Sequence, residues 1–219
     1  MIGRRTLLAA PLAVAVGLRA RTARAAGEPA SGRLGFRVFR KGSEIGTHTL
    51  QFHRTGNVLT VNIDVQIAVG FGPITLFRYR LTGVEVWRED RFAEIETATD
   101  DDGKMLHVSA RRDGNRIVVD ANPLGRQNFP AEALPLTHWN IGCMTAPLFN
   151  PQDGKAMQVT VTPRGSTSVA LANGASVPAR QFAMTGQTTL DDYYDADAVW
   201  TALHAVATDG SMLDYKRIV

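Results

Sequence analysis

A single cysteine, Cys143, excludes any internal disulfide, so no covalent staple holds this fold. The five histidines, His48, His53, His107, His138 and His204, are scattered singly. No HxH, HExxH or CxxC spacing occurs, so no local metal site is written in the chain and no cofactor is implied. A GxSxG elbow, a Walker loop and a GxGxxG turn are absent too, which removes the commonest hydrolase and nucleotide signatures. No apolar run approaches the roughly 20 residues of a membrane span. Basic charge is also scarce once the N-terminus is set apart. Five of the 24 lysines and arginines fall in the first 25 residues, where no acid stands. The remainder carries 19 basic against 21 acidic residues, a net of about −2, which argues against a basic nucleic-acid binder.

Those first 25 residues have the three parts of an export signal. Arg4 and Arg5 form the positive head, residues 7–18 an uncharged and mostly apolar stretch, and Ala23-Arg24-Ala25 a small-x-small cleavage site. The adjacent arginines before Thr6-Leu7-Leu8 resemble a twin-arginine motif and also suit the general secretory route. The apolar stretch is too short to span a bilayer, and Pro11 and Gly17 interrupt it. The expected organisation is a cleaved signal over residues 1–25, a flexible linker over 26–33 and one β domain over 34–219, in the periplasm or secreted.

The domain reads as β-strands joined by tight turns. Leu59, Val61, Ile63, Val65, Ile67 and Val69 alternate with Thr60, Asn62, Asp64 and Gln66. That period of two marks a strand with one dry face. Its length of about 40 Å suits a large curved sheet or barrel. After the break at Gly70-Phe71-Gly72-Pro73, Phe77, Tyr79 and Leu81 share a face. The phase then slips to Val84 and Val86, which predicts a β-bulge at Gly83. Turns such as Lys41-Gly42, Glu89-Asp90, Asp102-Gly103, Gly114-Asn115, Asn173-Gly174 and Asp209-Gly210 punctuate the chain at hairpin spacing. The expectation is an all-β fold: a single antiparallel meander of about ten or eleven strands, a strongly curved sheet or open β-barrel. Residues 123–153 hold five prolines and no clear period. They read as one long crossover or flap, with a short helical turn near residues 137–144. Loops of that length in a compact domain are often functional. Residues 195–204 have helical composition, but Ala196-Asp197-Ala198 reads as a turn.

Three stretches carry a family likeness. They are Phe36-Arg37-Val38 with Glu44-Ile45-Gly46-Thr47-His48; Leu134-Pro135-Leu136-Thr137-His138-Trp139-Asn140; and Tyr193-Tyr194-Asp195 with Trp200 and Asp209-Gly210-Ser211. On these the chain resembles a family of exported bacterial proteins classed as a domain of unknown function, family 6134. The resemblance implies a fold and a compartment, and no activity. A looser, architectural likeness is to the periplasmic carriers of lipoproteins, open antiparallel barrels around an apolar cavity. That likeness implies a shape only, and an obvious set of lid helices such as those carriers use is missing here.

Several constellations compete with plainer readings. Cys143 and His138, with Asn140 between them, would make a thiol nucleophile and its base; the plain alternative is a buried cysteine beside a turn. Asp100-Asp101-Asp102-Gly103 lacks the length and closing glutamate of a calcium loop and reads as a solvated hairpin tip. Asp191, Asp192, Asp195 and Asp197 are interleaved with Tyr193, Tyr194 and Trp200, in a spacing that selects no metal. Glu85 and Glu89 are a carboxylate pair with nothing to set their separation. Trp87, Trp139, Trp200, Phe77, Tyr79, Tyr194 and Phe182 belong inside, as core or as the lining of an apolar ligand cavity. The leading expectation is a non-catalytic protein that binds a lipid-like or other apolar small molecule, or an envelope partner. The alternatives are a hydrolase using the 123–153 loop with Cys143 or His138, and a structural or assembly module that offers a sheet edge.

Overall fold

The computed structural model describes residues 27–71, 74–207 and 209–218. Eight strands follow one another as hairpins: β1 (Arg33–Arg40), β2 (Ser43–Thr55), β3 (Val58–Phe71), β4 (Ile74–Arg88), β5 (Arg91–Asp101), β6 (Lys104–Asp113), β7 (Arg116–Asn122) and β8 (Gly125–Pro130). Three two-residue strands follow, β9 (Leu134–Pro135), β10 (Leu148–Phe149) and β11 (Ala156–Met157), with a 3-10 turn at Ile141–Met144. Five more strands complete the chain: β12 (Val159–Ala170), β13 (Ser176–Gly186), β14 (Leu190–Tyr194), β15 (Trp200–Val206) and β16 (Met212–Arg217).

The last strand returns to pair with the first, Phe36 opposite Arg217 and Val38 opposite Tyr215. The two hairpin series thereby fuse into one antiparallel sheet of 13 strands, ordered β12-β13-β14-β15-β16-β1-β2-β3-β4-β5-β6-β7-β8. The edges β8 and β12 are not paired with each other, so the sheet stays open. Tight turns come from left-handed backbone: Lys41 with Gly42, Glu89 with Asp90 and Asp102 with Gly103 have positive φ in succession. Two such residues give the hairpin turn whose twist matches that of the strands.

The expected all-β class and curved antiparallel sheet describe this architecture; the details differ in four ways. Among the described residues the strands number sixteen, and three of them, β8, β9 and β10, lie within the 123–153 crossover. The first, β8, ends at Pro130 and pairs with β7 despite lacking period two. The short sheet β11-β10-β9 contains a parallel pair, β9 with β10, inside what was expected to be a purely antiparallel meander. At Gly83 no bulge occurs: the residue stays in register with Ile63 and Thr97, and the β4–β5 register shifts between Val86 and Trp87 instead. Glycine serves there because a Cβ would stand 2.9 Å from Thr97 Cγ2. The apparent slip has another cause. Glu85 sits on the inner face with Leu81 and Trp87, while Val84 points outward and is exposed. Finally, the described part of the linker is anchored: Glu28 Oε2 pairs with Arg54 at 2.7 Å, and Phe52 N–H donates to the Gly32 carbonyl at 2.8 Å.

A sheet with one apolar face needs a second layer. The crossover supplies it. Trp139, Cys143, Met144, Leu148 and Phe149 are buried in one cluster with Leu50, Phe52, Val61, Phe92 and Ile117 of the sheet. Trp139 packs edge-on against Phe52 and Trp87, with ring centroids 5.3 and 5.4 Å apart. Phe149 meets Phe129 at 5.5 Å. A buried irregular segment must still satisfy its backbone. Leu134 N–H donates to the Pro147 carbonyl, Leu136 N–H to Phe149, and Asn150 N–H to Lys155. Arg112 Nη2 and Gln127 Nε2 hold the Ala131 and Gly154 carbonyls at 2.8 and 3.1 Å. The crossover is thus a plug inside the sheet, not a flap over it.

Candidate functional site

The plug does not fill the whole concavity. A cavity of about 1040 Å³ remains at the end where the β1–β2, β3–β4, β5–β6 and β15–β16 turns gather. Pockets for drug-sized ligands run from roughly 300 to 1,000 Å³, so this one is large. The inward alternation of β3 explains its wall. Leu59, Val61, Ile63 and Val65 are buried, whereas Ile67 and Val69, farther along the same face, are only half-buried and line the cavity. Phe77 and Tyr79 of β4 and Leu203 of β15 add further apolar surface. Leu76, Met105, Leu124, Val206 and Met212 stand exposed on strand ends and turns at this same end of the sheet. By strand alternation Leu76, Met105, Val206 and Met212 face outward, beside the inward Phe77, Leu106, Ala205 and Leu213, and none of the five lines the cavity.

The cavity floor is polar. It is formed by His48 of β2 and by Thr137 and His138 of the plug. His138 Nδ1 lies 2.9 Å from Asp192 Oδ2, and Asp192 Oδ1 accepts from Trp200 Nε1 at 3.0 Å. Asp192 is fully buried, so both its oxygens are occupied inside the protein. The His138 ring stacks on the Trp200 indole with centroids 5.2 Å apart and planes 17° from parallel. Its backbone has φ of +64°, uncommon for a residue with a side chain. Tyr194 Oη donates to the His138 carbonyl at 2.7 Å and holds that conformation. An imidazole so oriented, with a carboxylate behind Nδ1, presents Nε2 forward. His48 meets the same indole edge-on at 5.2 Å. Its Nε2 is buried without a hydrogen-bond partner. Burial, with His138 nearby, lowers His48 to about 3, so it is neutral at neutral pH.

A second buried carboxylate lies beneath the floor. Glu85 Oε1 accepts from Trp87 Nε1 at 2.8 Å and Oε2 from Trp139 Nε1 at 2.9 Å. Thr137 Oγ1 approaches this carboxyl without completing a well-formed hydrogen bond. Burial raises Glu85 to about 7 despite these donors. All three tryptophans of the chain therefore end on a buried carboxylate.

The candidate residues named from sequence separate into two groups. Phe77, Tyr79 and His138 line the cavity. Trp87, Trp139, Trp200 and Tyr194 do not; they are buried beneath it because their polar tips must reach Glu85, Asp192 and the His138 carbonyl. Phe182 is half-buried and packs edge-on against Tyr194. Cys143 and His138 form no pair. The thiol is buried and donates to the Pro135 carbonyl at 3.2 Å, while the His138 ring turns to Asp192. Burial pushes the Cys143 thiol far above its ordinary range. Asn140 accepts from Gly142 N–H at 2.8 Å and so starts the 3-10 turn. The Asp100–Asp102 tip folds on itself, Asp100 accepting from Gly103 N–H. Asp195 accepts from Asp197 and Val199 N–H and pairs with Arg217, leaving Asp192 as the inward member of its cluster. Among the described residues no group of three or more His, Cys, Asp or Glu is placed to hold a metal. His48 and the inward role of Asp192 were missed from sequence, since His48 stands on β2, Asp192 on β14 and His138 in the crossover, far apart in the chain.

No helix among the described residues is long and apolar enough to cross a membrane. No curated protein matches the chain. Among solved structures, the beta-barrel-like protein of domain of unknown function DUF1849 from Brucella abortus is similar over 85% of this chain and 94% of its own, with TM-score 0.61 and 10% identity. That likeness concerns the fold alone. The model of the family described as Domain of unknown function (DUF6134) matches residues 36–218, nearly all of the domain, and the chain belongs to that family.

Proposed function

We propose that this is an exported protein of the bacterial periplasm that holds an apolar small molecule without transforming it. One observation carries the reading: a cavity of about 1040 Å³, walled by the apolar inner faces of β3 and β4 and by Leu203 of β15. A protein with no ligand to hold gains by filling such a space, because apolar voids forfeit packing. The N-terminal signal, which lies outside the described residues, supports the compartment. Native mass spectrometry of protein isolated from the periplasm should reveal a bound lipid-like mass and an N-terminus at Ala26. Ile67→Trp, which fills the cavity from its wall, should abolish the bound mass while the protein stays folded. Ligand-free protein throughout, or an intact Met1 terminus, would remove the respective half of this proposal.

A second reading rests on the oriented His138–Asp192 pair. An imidazole backed by a carboxylate and facing a cavity is the arrangement of a general base. In that case His138 activates water against an ester bound in the cavity, with no part for the buried Cys143. Turnover of acyl esters that survives Cys143→Ala and vanishes in His138→Asn would favour hydrolysis over carriage.

A further inference from the structure

We propose that the cavity floor receives an uncharged hydroxyl head, so that the ligand is a long-chain alcohol and not an anionic fatty acid or phospholipid. The inference rests on the apolar-cavity reading above and narrows it to one chemical class.

Two imidazoles flank one indole at the floor. His138 lies on the face of Trp200 and His48 against its edge, each with centroids 5.2 Å from the indole. His138 is fixed by Asp192 at Nδ1, by stacking, and by Tyr194 on its carbonyl. This leaves Nε2, an acceptor when Nδ1 holds the proton, as its free polar atom. His48 also lines the cavity; its Nε2 is sealed away from the open space, so Nδ1 is the ring nitrogen that can meet a ligand. A hydroxyl is both donor and acceptor. Seated here, it donates to His138 Nε2 and accepts from His48 Nδ1–H.

Charge selects against the alternatives. The lysine and arginine on the cavity lining, Lys155 and Arg40, are engaged by Asp153 and Asp209. Among the described residues no guanidinium or ammonium reaches the floor, where the neighbouring acid is Asp192. A carboxylate or phosphate head would lose its water there and meet no counter-charge. Asp192 is saturated by Trp200 and His138, so it offers no free oxygen to an ammonium head either.

The test uses three probes of equal length: 1-dodecanol, dodecanoate and dodecane, at pH 8 with the mature protein. Tryptophan fluorescence and melting temperature are followed against probe concentration. Dodecanol should bind at least ten-fold more tightly than either of the others. His48→Phe should cut its advantage over dodecane to less than three-fold and leave dodecane binding unchanged. His138→Asn, whose side chain tolerates positive φ, should do the same. Equal binding of dodecanol and dodecane overturns the head-group assignment and leaves the apolar cavity standing. Tighter binding of dodecanoate overturns it as well. Failure of all three probes overturns both readings.

Discussion

Glu85 Oε2 and Trp139 Nε1, 2.9 Å apart, join the inner face of the sheet to the plug. Glu85 stands on β4, and Trp139 arrives from a crossover more than fifty residues later. The same carboxyl takes the Trp87 N–H. A buried carboxyl is unfavourable alone, but here it supplies acceptors for two indoles that would otherwise be orphaned. One residue thus specifies where the plug seats.

Glu85→Ala should therefore destabilise the domain by about 2–5 kcal/mol, from two orphaned donors and a small cavity. Chemical denaturation is the measurement. Glu85→Gln, which keeps one acceptor oxygen, should lose less. A change below about 0.5 kcal/mol in Glu85→Ala would show that the plug is seated by packing alone.

The pH dependence of stability follows from the two buried titrating groups. Glu85 is raised from 4.5 to about 7, so its contribution is present below pH 4.5 and lost as pH rises through 7. His48 is lowered from 6.5 to about 3, so its contribution is present above pH 6.5 and lost as pH falls towards 3. Between pH 4.5 and 6.5 the folded protein holds the Glu85 proton and the unfolded chain the His48 proton. The two contributions cancel. Against the parent protein, Glu85→Gln should gain stability with rising pH across that window, by about 1.4 kcal/mol per unit. His48→Phe should lose it at a similar rate. Parallel profiles in all three proteins would refute these protonation states.

The alternation from Leu59 to Val69 was legible because hydrophobic burial on one face leaves a period of two in the sequence, and β3 runs from Val58 to Phe71. Glu85 broke the same logic in β4. A carboxyl on the dry face looks like a change of phase until the two indoles that bind it are known. β8 was hidden because an edge strand under a plug buries little: Phe129 is its one buried residue. The floor was illegible for a related reason. His48, His138 and Asp192 come from two strands and a loop far apart in the chain, and local spacing carries no trace of their meeting. The acidic cluster with interleaved aromatics did mark Asp192, though as one of four.

The face assignment in β3 has a direct check. Ile63 is buried against the core, and Asn62 lies on the other face opposite Gln51 and Val84. Ile63→Asp should cost several kcal/mol or unfold the domain, while Asn62→Asp should stay within about 0.5 kcal/mol. Equal effects in thermal melts would contradict the observed register.

Cys143 gives a test of the plug itself. The thiol is buried, donates to the Pro135 carbonyl, and is held protonated by its surroundings. The thiolate is the reactive form, so two barriers stand against reaction: access and ionisation. A small alkylating reagent should leave the folded protein unmodified over hours and label it completely in denaturant. The rate in native buffer then reports opening of the plug, since only an opened state exposes the sulfur. Glu85→Ala should raise that rate by ten-fold or more if the carboxyl seats the plug, because its loss favours the open state. A substitution far from the plug, such as Asn62→Asp, should leave it unchanged. Rapid labelling of the parent protein would mean that the crossover does not close over Cys143, and that it moves as a flap after all.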